Sequence, residues 1–359
     1  MLVVIGILIK MLIVIGASQG AVAYLILVER KVAAYAQDRI GPNRAGREFG
    51  IPFALLQPLA DGAKMLLKED VVPSYVNKPL YLLAPMIAIV AATIGFAVIP
   101  FGPVGITAPT LPGWMGGYRI DFQIAPYIDI GIVYVFAIGS LAVYGVILAG
   151  WASNNKYSFI GGLRSSAQLI SYEIPLGLSV LPPVLMAGSL DLNDIINWQD
   201  RHVWGIVAAP LSFLIFLVSA FAETNRLPFD LPESEQELIG GFHTEYSAMK
   251  FGMFFLGEYL HVITVSFLTV IVFFGGWDIP FVLNQEQTGL FIALIKTLVI
   301  LTKVALMILF MMWIRWTLPR FRYDQLMDLA WKSLIPLAIV NLVATAAIVQ
   351  VIRGGGVGF

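Results

Sequence analysis

The 359 residues are 58% hydrophobic and 13% charged, with a formal net charge of −1 and a mean hydropathy of +0.84. A soluble domain carries about 25% charged residues, so a water-surrounded globule is excluded, and the near-zero charge excludes a nucleic-acid partner. Cysteine is absent, which excludes disulfides and any iron–sulfur cluster held by thiolates of this chain.

Apolar runs of about 20 residues recur along the whole length. Residues 1–359 therefore read as a single transmembrane domain, an all-α polytopic membrane protein. A β-barrel would show alternating segments of about 10 residues instead. Eight spans are predicted, at about 2–28, 80–101, 126–150, 166–188, 203–223, 251–275, 289–314 and 331–352. The first lacks a small-residue cleavage site and reads as a retained span. Lys10 within it reads as a snorkelling lysine near a helix end. Pro85, Pro175, Pro182, Pro183, Pro210 and Pro336 fall inside spans, so kinks and tight packing are expected.

The connections 29–79, 151–165, 224–250 and 315–330 hold fifteen of the twenty-two Lys and Arg residues. The positive-inside rule places these four in the cytoplasm and both termini outside. In the first of them, Gly41-Pro42-Asn43 signals a turn. Between Phe53 and Asp70 the polar positions Gln57, Asp61, Lys64 and Lys68 recur at helical spacing opposite Leu56, Leu59, Ala60, Ala63 and Leu67. That pattern predicts an amphipathic cytoplasmic helix lying at the interface or against a partner. On pattern alone, Asp61 and Lys64 read as a surface i,i+3 pair. The outer connections 102–125 and 189–202 carry no interpretable signal.

Carboxylates within spans are costly and usually face a bundle interior along an ion or substrate path. Glu173 precedes Pro175 in the fourth span, and Glu258 lies about two turns into the sixth. Glu223 closes the fifth, three residues before Arg226, a spacing that allows an ion pair on one helix face. Asp129 lies near the outer end of the third span, where a hydrated cap is equally reasonable. Lys296 and Lys303 share one face of the seventh span, which suggests acidic partners across an interior polar seam.

The densest charge lies at 222–251, where Glu223, Asp230, Glu233, Glu235, Glu237 and Glu245 face only Arg226 and Lys250. Glu233 and Glu237 would share a helix face and repel, raising at least one pKa. Such coupled carboxylates titrate as a group and can hold and pass protons near neutral pH. Pro228, Phe229, Leu231, Leu238, Ile239 and Phe242 make the segment half apolar and argue against a merely solvated loop.

These residues carry a resemblance that covers essentially the whole chain. Its elements are ERK at 29–31, DRIGPNR at 38–44, LADGAKMLLKE at 59–69 and SYEIPL at 171–176. The long acidic run at 222–247, GEY at 257–259 and PRFRYDQLM at 319–327 complete it. Together they resemble the H-subunit family of the proton-pumping NADH-quinone oxidoreductase, respiratory complex I.

The resemblance implies a component at the joint between membrane arm and peripheral arm of a bacterial inner-membrane complex. Its cytoplasmic loops 29–79 and 224–250 would form the quinone-site side. Ubiquinone or menaquinone would enter from the lipid bilayer and reach the terminal iron–sulfur cluster on a partner subunit. This chain itself would carry no metal, flavin or cluster. Glu173, Glu223, Glu245 and Glu258 match the proton-relay positions. Arg30, Arg39, Asp61 and Arg226 match positions at or beside the quinone cavity, with Glu233, Glu235 and Glu237 nearer to it. Two other readings stay open: a related complex driven by ferredoxin, deazaflavin or hydrogen, and a stand-alone proton-coupled transporter. The transporter would be expected to show an internal repeat, and none is found.

Overall fold

A computed structural model describes residues 2–47, 50, 52–107, 119–126, 128–231, 235–279 and 289–354. Long apolar runs bounded by charged or Gly/Pro segments fold as helices, because backbone polar groups in hydrocarbon must be satisfied within the segment. In chain order these are α1 (Leu2–Ala36), α2 (Gln57–Leu67), α3 (Lys78–Ile94), α4 (Gly131–Ala152) and α5 (Lys156–Ala187). Then come α6 (Leu192–Arg201), α7 (Gly205–Ala208), α8 (Pro210–Glu223), α9 (Glu235–Leu238), α10 (Ala248–Phe273), α11 (Leu290–Thr317), α12 (Tyr323–Asp328) and α13 (Ile335–Gly354). A single π turn, Leu329–Leu334, joins the last two into one span. The only strands among the described residues are Ile106–Thr107 and Arg119–Ile120, paired antiparallel in the first outer connection.

Among the described residues, seven helices are long and apolar enough to cross a bilayer. The predicted fifth span, 203–223, is the exception. Ala209 leaves helical geometry (φ −137°, ψ 64°) because Pro210, which follows it, offers no N–H to continue the ladder. What remains is the 14-residue α8, about 21 Å long at 1.5 Å per residue and short of a roughly 30 Å hydrocarbon core.

Two further boundaries differ from expectation. α1 runs on to Ala36 and α5 starts at Lys156, so Glu29, Arg30, Lys31 and Arg164 ride on rigid helix rather than loop. The early start of α5 has a local cause, since the Asn155 side chain accepts the Tyr157 N–H at 3.0 Å and caps the first turn.

α10 is the central post. Every residue from Tyr259 to Phe273 is buried except His261. α3 and α11 pack most closely against it, with α1, α8 and α5 also in contact, while α4 lies against α3 and α5, and α13 packs on α5 and α8. Close approach between α4 and α5 depends on glycine: a Cβ on Gly150 would sit 2.7 Å from the Ser158 carbonyl oxygen. The outward faces of α1, α11 and α13 expose Leu12, Leu298 and Val343, the expected surface toward lipid.

Candidate functional site

α2 folds as the predicted amphipathic helix, starting at Gln57, and buries none of its residues. It leans on α1 and α10 and roofs a cavity of about 1010 Å³. The walls include Glu29, Arg30 and Arg39 from the first helix and the turn after it, Asp61 and Met65 from α2, Phe255 and Tyr259 from α10, and Arg315 from α11. Arg30, Arg39 and Asp61 therefore line one cavity. Asp61 does not pair with Lys64. It takes the Arg30 guanidinium at 2.8 Å and the Gln57 amide N–H at 2.9 Å, which orients both toward the cavity.

The inner wall is a charge knot. Glu29 accepts hydrogen bonds from Arg226 at 2.9 Å, from Arg315 and from the Tyr259 hydroxyl. Arg226 Nε lies 2.8 Å from Glu258 Oε1, and its guanidinium stacks 3.9 Å from the centre of the Tyr259 ring. The expected Glu223–Arg226 helix pair does not form. α8 stops at Glu223, so Arg226 sits beyond the helix end and turns toward α1 and α10. Burial works against the Arg226 charge, but Glu258 and Glu29 outweigh it and hold the guanidinium firmly protonated.

Beyond Glu258 lies a second, smaller cavity of about 90 Å³. Glu173 from α5, Glu223 from α8 and Glu258 and His261 from α10 line it together with Ser140 and Thr224. Glu223 Oε1 lies 3.3 Å from His261 Nε2, while its other carboxylate oxygen is buried with no hydrogen-bond partner among the described residues. Three predicted acids from three helices thus meet in one compartment. The break before α8 matters here, because the shortened helix ends with its carboxylate facing that compartment.

Glu245 stands apart. Its carboxylate accepts the Tyr75 hydroxyl at 2.7 Å and the Asn155 amide at 2.6 Å, beyond the aromatic cluster of Phe242, Tyr246 and Phe254. That bond to Glu245 raises the Tyr75 pKa. In the loop, Glu233 lies outside the described residues, and so does the side chain of Glu235. Glu237 is described, and the expected raised acid is not found there. Its carboxylate meets Arg164 at 2.6 Å, and that bond, with Arg320 and Arg322 nearby, holds it below the usual carboxylate range. Glu237 is not among the residues lining the large cavity.

Lys296 and Lys303 do find acids across the predicted seam. Lys296 is 2% exposed and lies in the field of Asp200 and Asp278. Lys303 donates to the Phe274 carbonyl at 2.7 Å and to that of Asp278 at 2.5 Å. Glu29, Tyr259, His261 and Arg315 are the site residues that sequence reasoning left without a role. The available signal was their position: Glu29 and Arg315 sit at the ends of apolar runs, where an ionised group needs a partner.

A family model described as NADH dehydrogenase matches residues 9–346. The NADH-quinone oxidoreductase H subunit 1 of Cytophaga hutchinsonii is 49% identical over 326 residues, 90% of this chain and 91% of that protein. The NADH-quinone oxidoreductase H subunit of Leptospira biflexa serovar Patoc is 51% identical over 321 residues, 88% of this chain and 86% of its own. NADH-quinone oxidoreductase subunit 8 of Thermus thermophilus is 46% identical over 343 residues, covering 95% and 86% respectively. With the family model spanning nearly the whole length and half the residues shared with such relatives, the chain belongs to the NADH dehydrogenase family, among the H subunits of NADH-quinone oxidoreductase.

Proposed function

We propose that the large cavity admits a quinone head group, ubiquinone or menaquinone, and that the buried acids behind it carry protons linked to quinone reduction. Family membership makes the chain a component of a proton-translocating NADH:quinone oxidoreductase, with the redox groups on its partner subunits. Reduction of a quinone to the quinol consumes two electrons and two protons. The electrons would come from the terminal iron–sulfur cluster of a partner. This chain would supply the bilayer-side access route, with Arg30, Arg39 and Asp61 steering the head group, and an electrostatic response through Arg226.

The observation that carries the reading is the line of polar groups through the helices. It runs from Asp61 and Arg30 to Glu29, across Arg226 to Glu258, and then to His261, Glu223 and Glu173. Alternating acids and bases along one line suit proton relay. Glu245 joins at the cytoplasmic rim, with Glu233, Glu235 and Glu237 in the adjoining loop. The basic connections support a bacterial inner-membrane orientation with both termini outside, which requires α7 and α8 to cross together as one broken span.

The test uses the purified complex in proteoliposomes. Glu258→Gln or Glu223→Gln should reduce quinone-linked proton pumping while electron transfer to an artificial acceptor persists. Wild-type pumping in both variants would remove these acids from the relay. A protease-accessible tag at each terminus, probed in right-side-out vesicles, reads the orientation.

A further inference from the structure

A second large cavity has no part in the line just described. It has a volume of about 770 Å³ and runs between α1 and the α10–α11 pair, toward the end of α1 opposite the quinone cavity. The two cavities share no lining residue. On α1 its wall recurs as Lys10, Val14, Ala17, Ala21, Leu25 and Val28, a spacing of three and four that presents one helix face. Small side chains in the middle of that face leave the gap open. Phe101 and Phe267, stacked edge to face at 5.2 Å, form part of the back.

Dimensions decide what class of molecule fits. From Lys10 to Val28 is eighteen residues, about 27 Å of helix, close to the roughly 30 Å hydrocarbon thickness. A partner helix about 10 Å across would have to lie largely outside the cleft, seated on its rim. The volume instead falls in the roughly 300–1,000 Å³ range of small-molecule sites, and the shape is that of one extended hydrocarbon chain parallel to the helices.

The charges decide which end carries a head group. The wall is mostly apolar, with Ser18 turned back on its own helix to the Ile15 carbonyl at 3.0 Å, and its charged residues, Lys10 and Asp121, both lie at one end. Among the described residues the Lys10 ammonium has a single long contact, to the Gln123 carbonyl at 3.5 Å, so two of its three donors are available. Asp121 uses one carboxylate oxygen to accept the Gly105 N–H at 2.7 Å. A cation and an anion at the same end of one cleft complement a zwitterion. An isoprenoid tail threading up from the quinone cavity would bring no such group to this end.

We propose that this cleft is a binding site for a zwitterionic aminophospholipid. One acyl chain lies between α1 and α11, the phosphate sits on Lys10 and the ammonium on Asp121. A built-in lipid of this kind would wedge α1 at a fixed distance from α11, the two helices that contribute Glu29 and Arg315 to the charge knot.

The experiment uses the intact complex reconstituted in vesicles of phosphatidylethanolamine and phosphatidylglycerol, with a trace of either lipid carrying a diazirine in one acyl chain. After illumination, adducts on α1 and α11 peptides are counted by mass spectrometry. Wild type should label with the ethanolamine lipid in preference to the glycerol lipid. Ala21→Phe, which fills the middle of the cleft, should abolish that labelling while transfer from NADH to an artificial acceptor confirms an assembled complex. Lys10→Gln should lower labelling by about fivefold, the ratio corresponding to roughly 1 kcal/mol per interfacial lysine, and Asp121→Asn should erase the head-group preference. Equal labelling in wild type and Ala21→Phe would overturn the site. Labelling by a diazirine quinone analogue that outcompetes the phospholipid would overturn the choice of occupant.

Discussion

The knot around Glu29 allows a sharp energetic test. With all groups ionised, Glu29 and Glu258 balance Arg226 and Arg315. The Glu29 and Arg226 side chains are 7% and 9% exposed, and Arg315 is 22% exposed. Glu29→Gln keeps the shape and still lets an amide oxygen accept from Tyr259, but it leaves two guanidinium groups facing one carboxylate. Removing one partner of a buried pair costs about 3–5 kcal/mol, because a charge is left uncompensated. That is a large fraction of a total stability of about 5–15 kcal/mol. Adding Arg315→Gln to Glu29→Gln removes the orphaned cation, so the double variant should recover at least about 1–2 kcal/mol of that loss. The assay is the thermal midpoint and inactivation half-life of the purified complex, compared for wild type, both single variants and the double. If the double variant is as unstable as Glu29→Gln alone, or worse, the charge-balance account is wrong and shape rather than electrostatics holds this junction.

Asp61→Asn breaks a pair whose members are 24% and 50% exposed, so stability should change by no more than about 1 kcal/mol, while the apparent quinone KM rises. A rise in inactivation rate with no change in KM would make Asp61 structural. Gly205→Ala would put a Cβ 2.3 Å from the Val272 carbonyl oxygen and should cost at least about 1–3 kcal/mol. Gly177→Ala in α5, with nothing within 4 Å, should instead be neutral or stabilising by up to about 1 kcal/mol, and matched melting curves read both. Asp278 is pushed up to about 6 from 3.8, first by burial and then by Asp200. The native state then holds that proton more tightly than the unfolded chain, so stability falls as pH rises from about 4 to 6, by at most about 3 kcal/mol. Asp278→Asn should flatten this slope in melts taken across that window.

The spans were legible because a bilayer demands about 20 apolar residues and nothing else in the chain supplies them. Pro210 was visible as a kink signal, yet its consequence, a shortened helix, depends on how neighbours satisfy the freed backbone. The polar contacts divide by range. Lys296 and Lys303 were readable as a pair needing acids, since period is a local property. Their partners Asp200 and Asp278 were not, because they belong to other segments. The same holds for Arg226, whose carboxylates lie at Glu29, 197 residues away, and at Glu258. Helical spacing favoured Glu223, but the helix had already ended. Glu237 shows the same range effect: its acidic neighbours in sequence suggested repulsion within the group, and Arg164 from α5 instead holds this member low.

A bridging arginine makes the two compartments electrically dependent, and that dependence can be tested at one residue. Arg226 hydrogen-bonds through Nη1 to Glu29, which lines the large cavity, and its Nε lies 2.8 Å from Glu258, which lines the smaller one, as an ion contact. A unit charge about 4 Å away is worth about 4 kcal/mol at an effective dielectric of 20, so any new negative charge beside Glu29 and Arg315 alters the hold on Glu258. A planar guanidinium serves two carboxylates in fixed directions, whereas an ammonium is a single point charge. Arg226→Lys therefore keeps the net charge and most of the stability but cannot satisfy both acids together. Quinone reduction should persist while the protons moved per electron pair fall, measured as the ratio of acidification to NADH oxidation in proteoliposomes. An unchanged ratio in Arg226→Lys would mean that positive charge alone suffices and that the two-sided geometry has no role in coupling.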